Sequence, residues 1–166
     1  DLSLAMFFMA QIKYEKNDLN SANSFALKSY RKLSDKPELN YLLHLINTRV
    51  NNTDEAFKFI MLCITSNKKL IEKKSKIESE NILDQTDLYL RAINLSLKLD
   101  KQTDAENLIA ELSNYISREK QIEIDSVQPV FENLFFNYSI KESDSLQLKE
   151  LINPTHLNSI VEIIKF

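Results

Sequence analysis

The stretches "NDLNSA" (residues 17–22) and "NNTDEA" (residues 51–56) are polar segments of equal length that both end in alanine. Ala22 and Ala56 lie 34 positions apart, and apolar residues at helical spacing flank both stretches. Each stretch therefore predicts a turn between two helices. The common spacing favours a repeating helix pair, and the interpretation of the whole fold depends on it.

The composition favours an all-α fold. The 166 residues include no glycine, three prolines and 43% hydrophobic residues, so the chain can bury a core as one domain or as a run of stacked small units. Without glycine, the positive φ angles of tight β-hairpins and phosphate-binding loops are not readily supplied. The net charge of −3 implies neither a polyanionic partner nor a membrane surface.

Helical periodicity predicts two helix pairs around the two turns. The first pair comprises a helix over 2–16, with an apolar stripe of Leu4, Phe7, Phe8, Met9 and Ile12, and a helix that Asn20 or Ser21 caps and "SDKPE" ends. Ala22, Phe25, Ala26, Ser29, Tyr30 and Leu33 form its contact face. The second pair comprises a helix over 38–50, with Leu39, Leu42, Leu43 and Ile46, and a helix that Thr53 caps, with Ala56, Phe59, Ile60, Cys63 and Ile64.

The fourth predicted helix is unusually long. It continues through "SNKKLIEKKSKIESEN" (66–81), with a kink near Ser66. A third pair follows over 84–99 and 103–118, with Ala105, Leu108, Ile109, Leu112 and Ile116 on one face. Ala105 lies 49 positions after Ala56, and the long fourth helix with its turn absorbs the surplus of 15 over the spacing of 34.

Three further helices are predicted over 126–140, 144–152 and 155–165, which makes about nine in all. Pro129 falls in a first turn, and Pro154 stands just before a new helix. The units are 2–35, 38–80, 84–118 and 126–166, in one domain over 1–166 that we expect to be a segment of a larger protein.

These residues resemble the tetratricopeptide (TPR) family, whose 34-residue unit is a helix-turn-helix with small residues at the helix contact. Met9 and Ala10 are similar to the family's Leu-Gly pair, and Ala22 and Ser29 to its later small residues. The matching positions of the second unit are Leu43, His44, Asn51, Ala56 and Cys63, of which His44 departs from the family's small residue. The third unit aligns Ala92 and Ala105 if its turn is one residue longer.

The resemblance implies an α-solenoid of antiparallel helix pairs in a right-handed superhelix, whose first helices line a concave groove. The alternative fold is an irregular helical bundle. By resemblance the groove residues are Phe7, Gln11, Tyr14, Tyr41, Leu45, Thr48 and Arg49. Exposed aromatic residues there suit an amphipathic helix or an extended peptide, although the same residues can instead pack beneath a neighbouring repeat. Members of that family that capture chaperone tails use Lys and Asn at two of these positions. The corresponding residues here are Phe7 and Gln11, then Tyr41 and Leu45, so we do not expect a carboxylate clamp.

Nothing in the sequence predicts an enzyme, a cofactor or a metal site. His44 and His156 stand on different predicted helices without a carboxylate or cysteine at a ligand spacing, so both are interpreted as structural. Cys63, the only cysteine, occupies a small-residue position of a packed helix and is predicted to be buried and unreactive. The expected function is a non-catalytic scaffold that binds another protein or peptide.

A lysine cluster supports an alternative function. Lys68, Lys69, Lys73, Lys74 and Lys76 lie close together in the sequence and could bind nucleic acid or an acidic partner. Three glutamates interleave and no aromatic residue is available for base stacking, so a solvated helix face is the simpler interpretation and nucleic acid is not the expected partner. A regulatory or sensory helical domain of a larger multidomain protein is a further alternative.

The expected location is intracellular, in the cytoplasm or the nucleus. The chain has no apolar run of bilayer-spanning length and no secretory signal, and one cysteine permits no internal disulfide. Both termini stop inside helical or apolar sequence, whereas a repeat array needs polar caps, so we expect further repeats or self-association.

Overall fold

The computed structural model describes residues 1–73, 82–137 and 142–153, and every regular element in these ranges is helical. The chain divides into two compact units, Asp1–Leu88 and Tyr89–Phe166. The prediction of an all-α fold is confirmed, with eight α-helices in the described ranges. The ninth predicted helix, over 155–165, lies outside them.

The first unit contains two neighbouring helix pairs. Its helices are α1 (Leu2–Glu15), α2 (Leu19–Leu33), α3 (Pro37–Arg49) and α4 (Thr53–Glu72). Helix α1 packs on α2, α3 packs on α4, and α2 also contacts α3. Helix α5 (Gln85–Lys98) begins in this unit and continues into the second, which contains α6 (Gln102–Lys120), α7 (Ile124–Glu132), a π-helical turn (Asn133–Asn137) and α8 (Glu142–Leu151).

The turns after α1 and α3 have the same backbone conformation at equivalent positions of the two helix pairs. Asn17 and Asn51 adopt left-handed φ angles of 59° and 57°. In both turns the next residue donates its amide hydrogen to the carbonyl five positions earlier, at 2.9 Å. Asp100 (φ 54°) and Gln121 (φ 56°) end α5 and α6 in the same way, with corresponding bonds of 2.8 and 3.1 Å. All four are Schellman turns, in which a left-handed residue lets the chain satisfy the last carbonyls of the helix.

These turns form without glycine. The described residues contain four left-handed positions, and three of them are occupied by Asn or Asp. The short polar side chains of Asn and Asp tolerate this conformation better than other residues with a Cβ atom. The chain therefore makes tight helix–helix turns without glycine.

The predicted helix caps are wrong by a few residues. Asp18, rather than Asn20 or Ser21, caps α2, and its carboxylate accepts a hydrogen bond from the Ser21 amide at 3.2 Å. Asn52, rather than Thr53, caps α4. The cause is the Schellman turn. Each turn has only three residues between the helices, and the cap of the second helix directly follows the left-handed residue in the middle.

The predictions for the later helices are correct in part. Helix α4 is long as predicted and is continuous through Ser66 to Glu72, and the kink near Ser66 stays a prediction. The rest of this predicted helix, over 74–81, lies outside the described residues. The seventh helix begins at Ile124, so Pro129 lies inside it rather than in its first turn, and the π-helical turn follows from Asn133. The end of that predicted helix, over 138–140, falls outside the described residues.

Small side chains allow the helices to approach closely. Ala10, Ala22, Ala26 and Ala56 have no exposed surface. The first three pack among the large apolar residues of α1 and α3 in the core of the first unit. The predicted contact faces of α2, α3 and α4 are confirmed. In the second unit the predicted face of α6, from Ala105 to Ile116, is likewise buried.

Two equivalent hydrogen bonds hold the helix pairs together. The Ser29 hydroxyl donates to the carbonyl oxygen of Ser3 at 2.8 Å. The Cys63 thiol donates to the carbonyl oxygen of Pro37 at 3.3 Å. Both members of the second bond lie 34 positions after those of the first, so both helix pairs cross at matched positions.

The apolar stripe predicted for α1 is only partly buried. Phe7 lies in the core with Ser3, Ala10 and Tyr14. The other four stripe residues are exposed: Leu4, Phe8, Met9 and Ile12. Periodicity shows that a helix has apolar residues but cannot select which of two apolar faces meets a neighbour.

Candidate functional site

Four predicted groove residues follow one face of α3. Tyr41, Leu45, Thr48 and Arg49 recur at helical spacing, the first two half-buried and the last two exposed. The Thr48 hydroxyl donates to the His44 carbonyl at 2.9 Å, within the helix. This face therefore combines partly accessible apolar surface with a cation at its end.

The three predicted groove residues of α1 have different environments. Gln11 is exposed, whereas Phe7 is 5% and Tyr14 is 9% exposed. Phe7 and Tyr14 pack in the core with Leu39 and Leu43 of α3. Of these three residues, only Gln11 is accessible to a ligand. Phe7 and Tyr14 belong to the core beneath the α1 surface.

Arg49 joins α3 to α1. Its guanidinium carbon lies 4.0 Å from the centre of the Tyr14 ring, and Nη1 lies 3.4 Å from the Tyr14 carbonyl oxygen. A cation stacked over a tyrosine ring is attracted by the negative face of the ring. The sequence predicted that Arg49 lies beside the groove. It could not predict the contact of Arg49 with Tyr14, 35 positions earlier, because that contact comes from the packing of α1 on α3.

His44 is a buried structural residue that supports the neighbouring groove residue Tyr41. It is 2% exposed, and its Nδ1 lies 3.1 Å from the Ala56 carbonyl oxygen. Because a carbonyl can only accept, Nδ1 carries the proton. The ring also stacks on Tyr41, with 5.8 Å between ring centres. The imidazole thus occupies the position that Ala10 fills in α1 and supports Tyr41. His156 lies outside the described residues.

Cys63 has the properties of a buried, unreactive thiol. It has no exposed surface, and burial, together with the carboxylates of Glu38 and Asp87, raises its pKa to about 12. The neutral thiol is a poor nucleophile and a poor metal ligand. Within the described ranges, no group of three or more histidine, cysteine or acidic side chains could hold a metal ion.

The lysine cluster is described in part. Lys69 and Lys73 are exposed and lie four residues apart at the end of α4, and Lys68 is half-buried. Lys74 and Lys76 lie outside the described residues. The described part therefore presents two exposed ammonium groups on one side of the helix.

Asn67 forms a contact that sequence reasoning missed. Its amide is fully buried, donates to the Leu83 carbonyl at 2.9 Å and accepts from the Leu83 amide at 3.0 Å. It also donates to Oε1 of Gln85 at 2.7 Å. The side chain thus pairs with a backbone segment as another peptide group would, and it connects α4 to the start of α5. No local signal distinguishes Asn67 from the other asparagines.

An open cavity of about 410 Å³ lies in the second unit, where the end of α6, the start of α7 and α8 meet. Its lining residues are Gln121, Ile122, Glu123, Ser126, Gln147, Glu150 and Leu151. Among the described lining residues there are two carboxylates and no cation, so this part of the lining is weakly acidic. Sequence reasoning did not identify it, because the three elements converge only in the folded chain.

None of the helices in the described ranges combines the length and the apolarity needed to cross a bilayer. The surface of α1 and α3 is the candidate site that the sequence and the structure share, because Gln11, Thr48 and Arg49 are exposed and Tyr41 and Leu45 are half-buried. No protein-family model matches the chain, and no curated protein or solved structure matches it.

Proposed function

We propose that this chain is a TPR-like helical-repeat segment that acts as a non-catalytic scaffold and binds another protein or peptide across α1 and α3. The repeat interpretation is supported by features that recur at matched positions of the two helix pairs. These are the left-handed residues Asn17 and Asn51, and the hydrogen bonds of Ser29 and Cys63 to the first turn of the partner helix. Stacked helix pairs of this kind present their first helices side by side.

The single observation that carries the binding function is the make-up of the α3 face. Tyr41 and Leu45 offer partly accessible apolar surface on a rigid helix, and His44 fixes the Tyr41 ring from behind. Arg49, stacked on Tyr14, adds a donor whose position is set before any ligand arrives. Aromatic and arginine side chains held in place are the residues that contribute most to binding at protein interfaces.

The expected ligand is a peptide or helix with an apolar side chain for Tyr41 and Leu45 and a carbonyl or carboxylate for Arg49. The helix-in-groove and extended-peptide modes both meet these requirements. Phe7, although on the predicted groove face, is too buried to contact this ligand, and a substitution there would test the fold instead.

The experiment compares variants of the intact parent protein in quantitative affinity purification. The groove variant is Leu45→Asp with Thr48→Asp, and the matched control is Asn20→Asp with Ser24→Asp on exposed positions of α2. Both double variants add two negative charges. We expect at least one protein that co-purifies specifically with the wild type to be recovered in at least tenfold smaller amount with the groove variant. The control should recover it in the wild-type amount.

Two outcomes contradict the proposal. Recovery of the same proteins in equal amounts with the wild type and the groove variant would show that this surface binds no partner. A second variant, Lys69→Glu with Lys73→Glu, tests the alternative function. If only this variant loses binding, and if wild-type binding also weakens steeply with salt, the ligand is nucleic acid or an acidic partner.

A further inference from the structure

The accessible side chains of α3 form one stripe along the helix. Eight of its 13 residues are buried, and the other five, the α3 stripe, are Glu38, Tyr41, Leu45, Thr48 and Arg49. They follow one another at spacings of three, four, three and one residues and so lie on one face. Glu38 and Arg49 stand at its two ends, about 17 Å apart along the helix axis.

The two ends of the α3 stripe carry opposite charges. Glu38 is half-buried in the first turn and Arg49 is exposed in the last turn, where each complements the dipole of α3. In the part of the chain that the structure describes, neither takes part in an ion pair. The stripe therefore presents a carboxylate at one end, a guanidinium at the other and apolar surface between them.

The charged neighbours do not reverse this polarity. The Glu-Lys pair at 15–16 follows Tyr14, on which Arg49 stacks, and the Asp-Lys pair at 35–36 precedes α3. The two charges of each pair offset one another. A ligand is therefore complementary when it brings an acidic residue to Arg49 and a basic residue to Glu38.

The polar groups of the α3 stripe favour a helical ligand over an extended one. An extended peptide carries backbone amides and carbonyls that need hydrogen-bond partners. The Leu45 side chain offers none, and the Thr48 hydroxyl already donates its proton to the His44 carbonyl within α3. A helix forms its own backbone hydrogen bonds, so only its side chains have to match the stripe.

On the basis of the proposed function, we propose that the ligand of the α3 stripe is an amphipathic helix of a partner protein that lies antiparallel to α3. Its acidic residue comes first in the sequence and pairs with Arg49. Two apolar residues follow and cover Leu45 and Tyr41. A basic residue comes last and pairs with Glu38. The proposed function leaves this charge order and the orientation of the ligand open.

The helix dipole decides between the two orientations. An acidic residue near the N-terminus and a basic residue near the C-terminus stabilise the ligand helix itself. In the antiparallel orientation these charges lie beside Arg49 and Glu38, whereas in the parallel orientation each lies beside a like charge. Because both helices rise by about 1.5 Å per residue, the ligand repeats the spacing of the stripe. Its apolar residues come four and eight positions after the acid, and the base comes eleven positions after it.

The test begins with a phage-display selection on the 166-residue chain. One library displays alanine-rich helical peptides of about 18 residues, or five turns, in which four positions with this spacing are varied among acidic, basic, apolar and glutamine residues. A second library carries interior prolines, which prevent a helix. Selected peptides are tested again on the groove variant, Leu45→Asp with Thr48→Asp, and only peptides that lose binding are counted.

Double-mutant cycles then locate the two ends of a selected peptide. Arg49→Gln and Glu38→Gln are each combined with replacement of the acid or the base of the peptide by glutamine, and affinity is measured by fluorescence anisotropy. Arg31→Gln, at an exposed position of α2, is the matched control. The urea midpoint of each variant shows whether it is folded.

We expect the helical library to supply the groove-dependent peptides, with the acid-first order at least tenfold more frequent than the base-first order. Arg49→Gln should weaken binding of such a peptide at least threefold and should have no effect once the acid of the peptide is replaced. Glu38→Gln should show the same dependence on the base. Arg31→Gln should leave the affinity unchanged.

Three results overturn the proposal: equal frequencies of the two charge orders, coupling of Arg49 to an acid at the C-terminal end of the peptide, or groove-dependent peptides that come only from the proline library. In all three the proposed function stands, because the groove variant still loses a ligand. If no selected peptide depends on the groove, the proposed function fails, and the antiparallel helix fails with it.

Discussion

The thiol of Cys63 donates to the carbonyl oxygen of Pro37 at 3.3 Å, in the place where the Ser29 hydroxyl makes the same bond in the preceding helix pair. The two second helices therefore use different atoms for one contact. A side chain at this position has to be small enough for the crossing and able to donate to the first turn of the partner helix.

The effect of replacing Cys63 on stability should depend on the size of the new side chain. Cys63→Ser should change the free energy of unfolding by less than about 1 kcal/mol, because a hydroxyl can make the bond that Ser29 makes. Cys63→Leu should lower it by about 1–3 kcal/mol through overpacking. Urea denaturation measures both, and Thr65→Leu, at an exposed position of α4, is the control. A larger loss for Ser than for Leu would contradict this account of the crossing.

The raised pKa of Cys63 predicts a loss of stability at alkaline pH. Burial raises the pKa from 9.0 to about 12, so the unfolded chain releases this proton at a lower pH than the folded chain. The contribution is fully present below pH 9.0 and is lost, at about 1.4 kcal/mol per pH unit, as the pH rises towards 12. The difference between wild type and Cys63→Ser in urea unfolding isolates it. A difference independent of pH between 8 and 11 would show that the thiol is not buried.

Glycine should stabilise the protein at a left-handed turn position and destabilise it inside a helix. Gln121→Gly should raise the free energy of unfolding by about 1 kcal/mol, because glycine has no Cβ atom to strain the conformation at φ 56°. Gln147→Gly, at an exposed position inside α8, should lower it by about 1 kcal/mol. Thermal or urea unfolding of the two variants is the measurement. Equal signs would contradict the Schellman turn after α6.

Loss of the Asn67 amide should be costly. Asn67→Ala leaves the amide and the carbonyl of Leu83 without their partner, which we expect to cost about 2–4 kcal/mol. The Leu83 amide should also exchange its hydrogen faster. Asn114→Ala is the control, since Asn114 is exposed and bonds only within its own helix. A change no larger than that of the control would show that the connection between α4 and α5 does not need this contact.

The cap of α2 should respond to acid. Hydrogen bonds from Ser21 and Lys13 hold the pKa of Asp18 below 3.8 in the folded chain. Its contribution is therefore present above pH 3.8 and lost as the pH falls through the folded value. Asp18→Asn is the comparison, because Asn can cap a helix, as Asn52 does for α4, but does not titrate. The difference in melting temperature between the wild type and this variant should become smaller below pH 3.8. A difference that does not change with pH would exclude this role.

Much of the fold could be predicted from local signals. Apolar periodicity located α1 to α6, and Ala22 and Ala56 marked the close contacts, because the spacing of side chains along a helix is a property of the chain itself. The caps were missed by a few residues, since the sequence did not show that Asn17 and Asn51 would adopt the left-handed conformation. Five of the seven candidate groove residues retain accessible surface, whereas Phe7 and Tyr14 support it from the core.

The sequence alone determined that the chain is helical, where its turns fall and which small residues permit close packing, since these depend on neighbours in the chain. Only the tertiary structure decided which side of α1 is buried, that Arg49 covers Tyr14, and that Asn67 pairs with Leu83. The last two contacts join residues that are 35 and 16 positions apart in the chain. Helical periodicity carries no information about such distant partners.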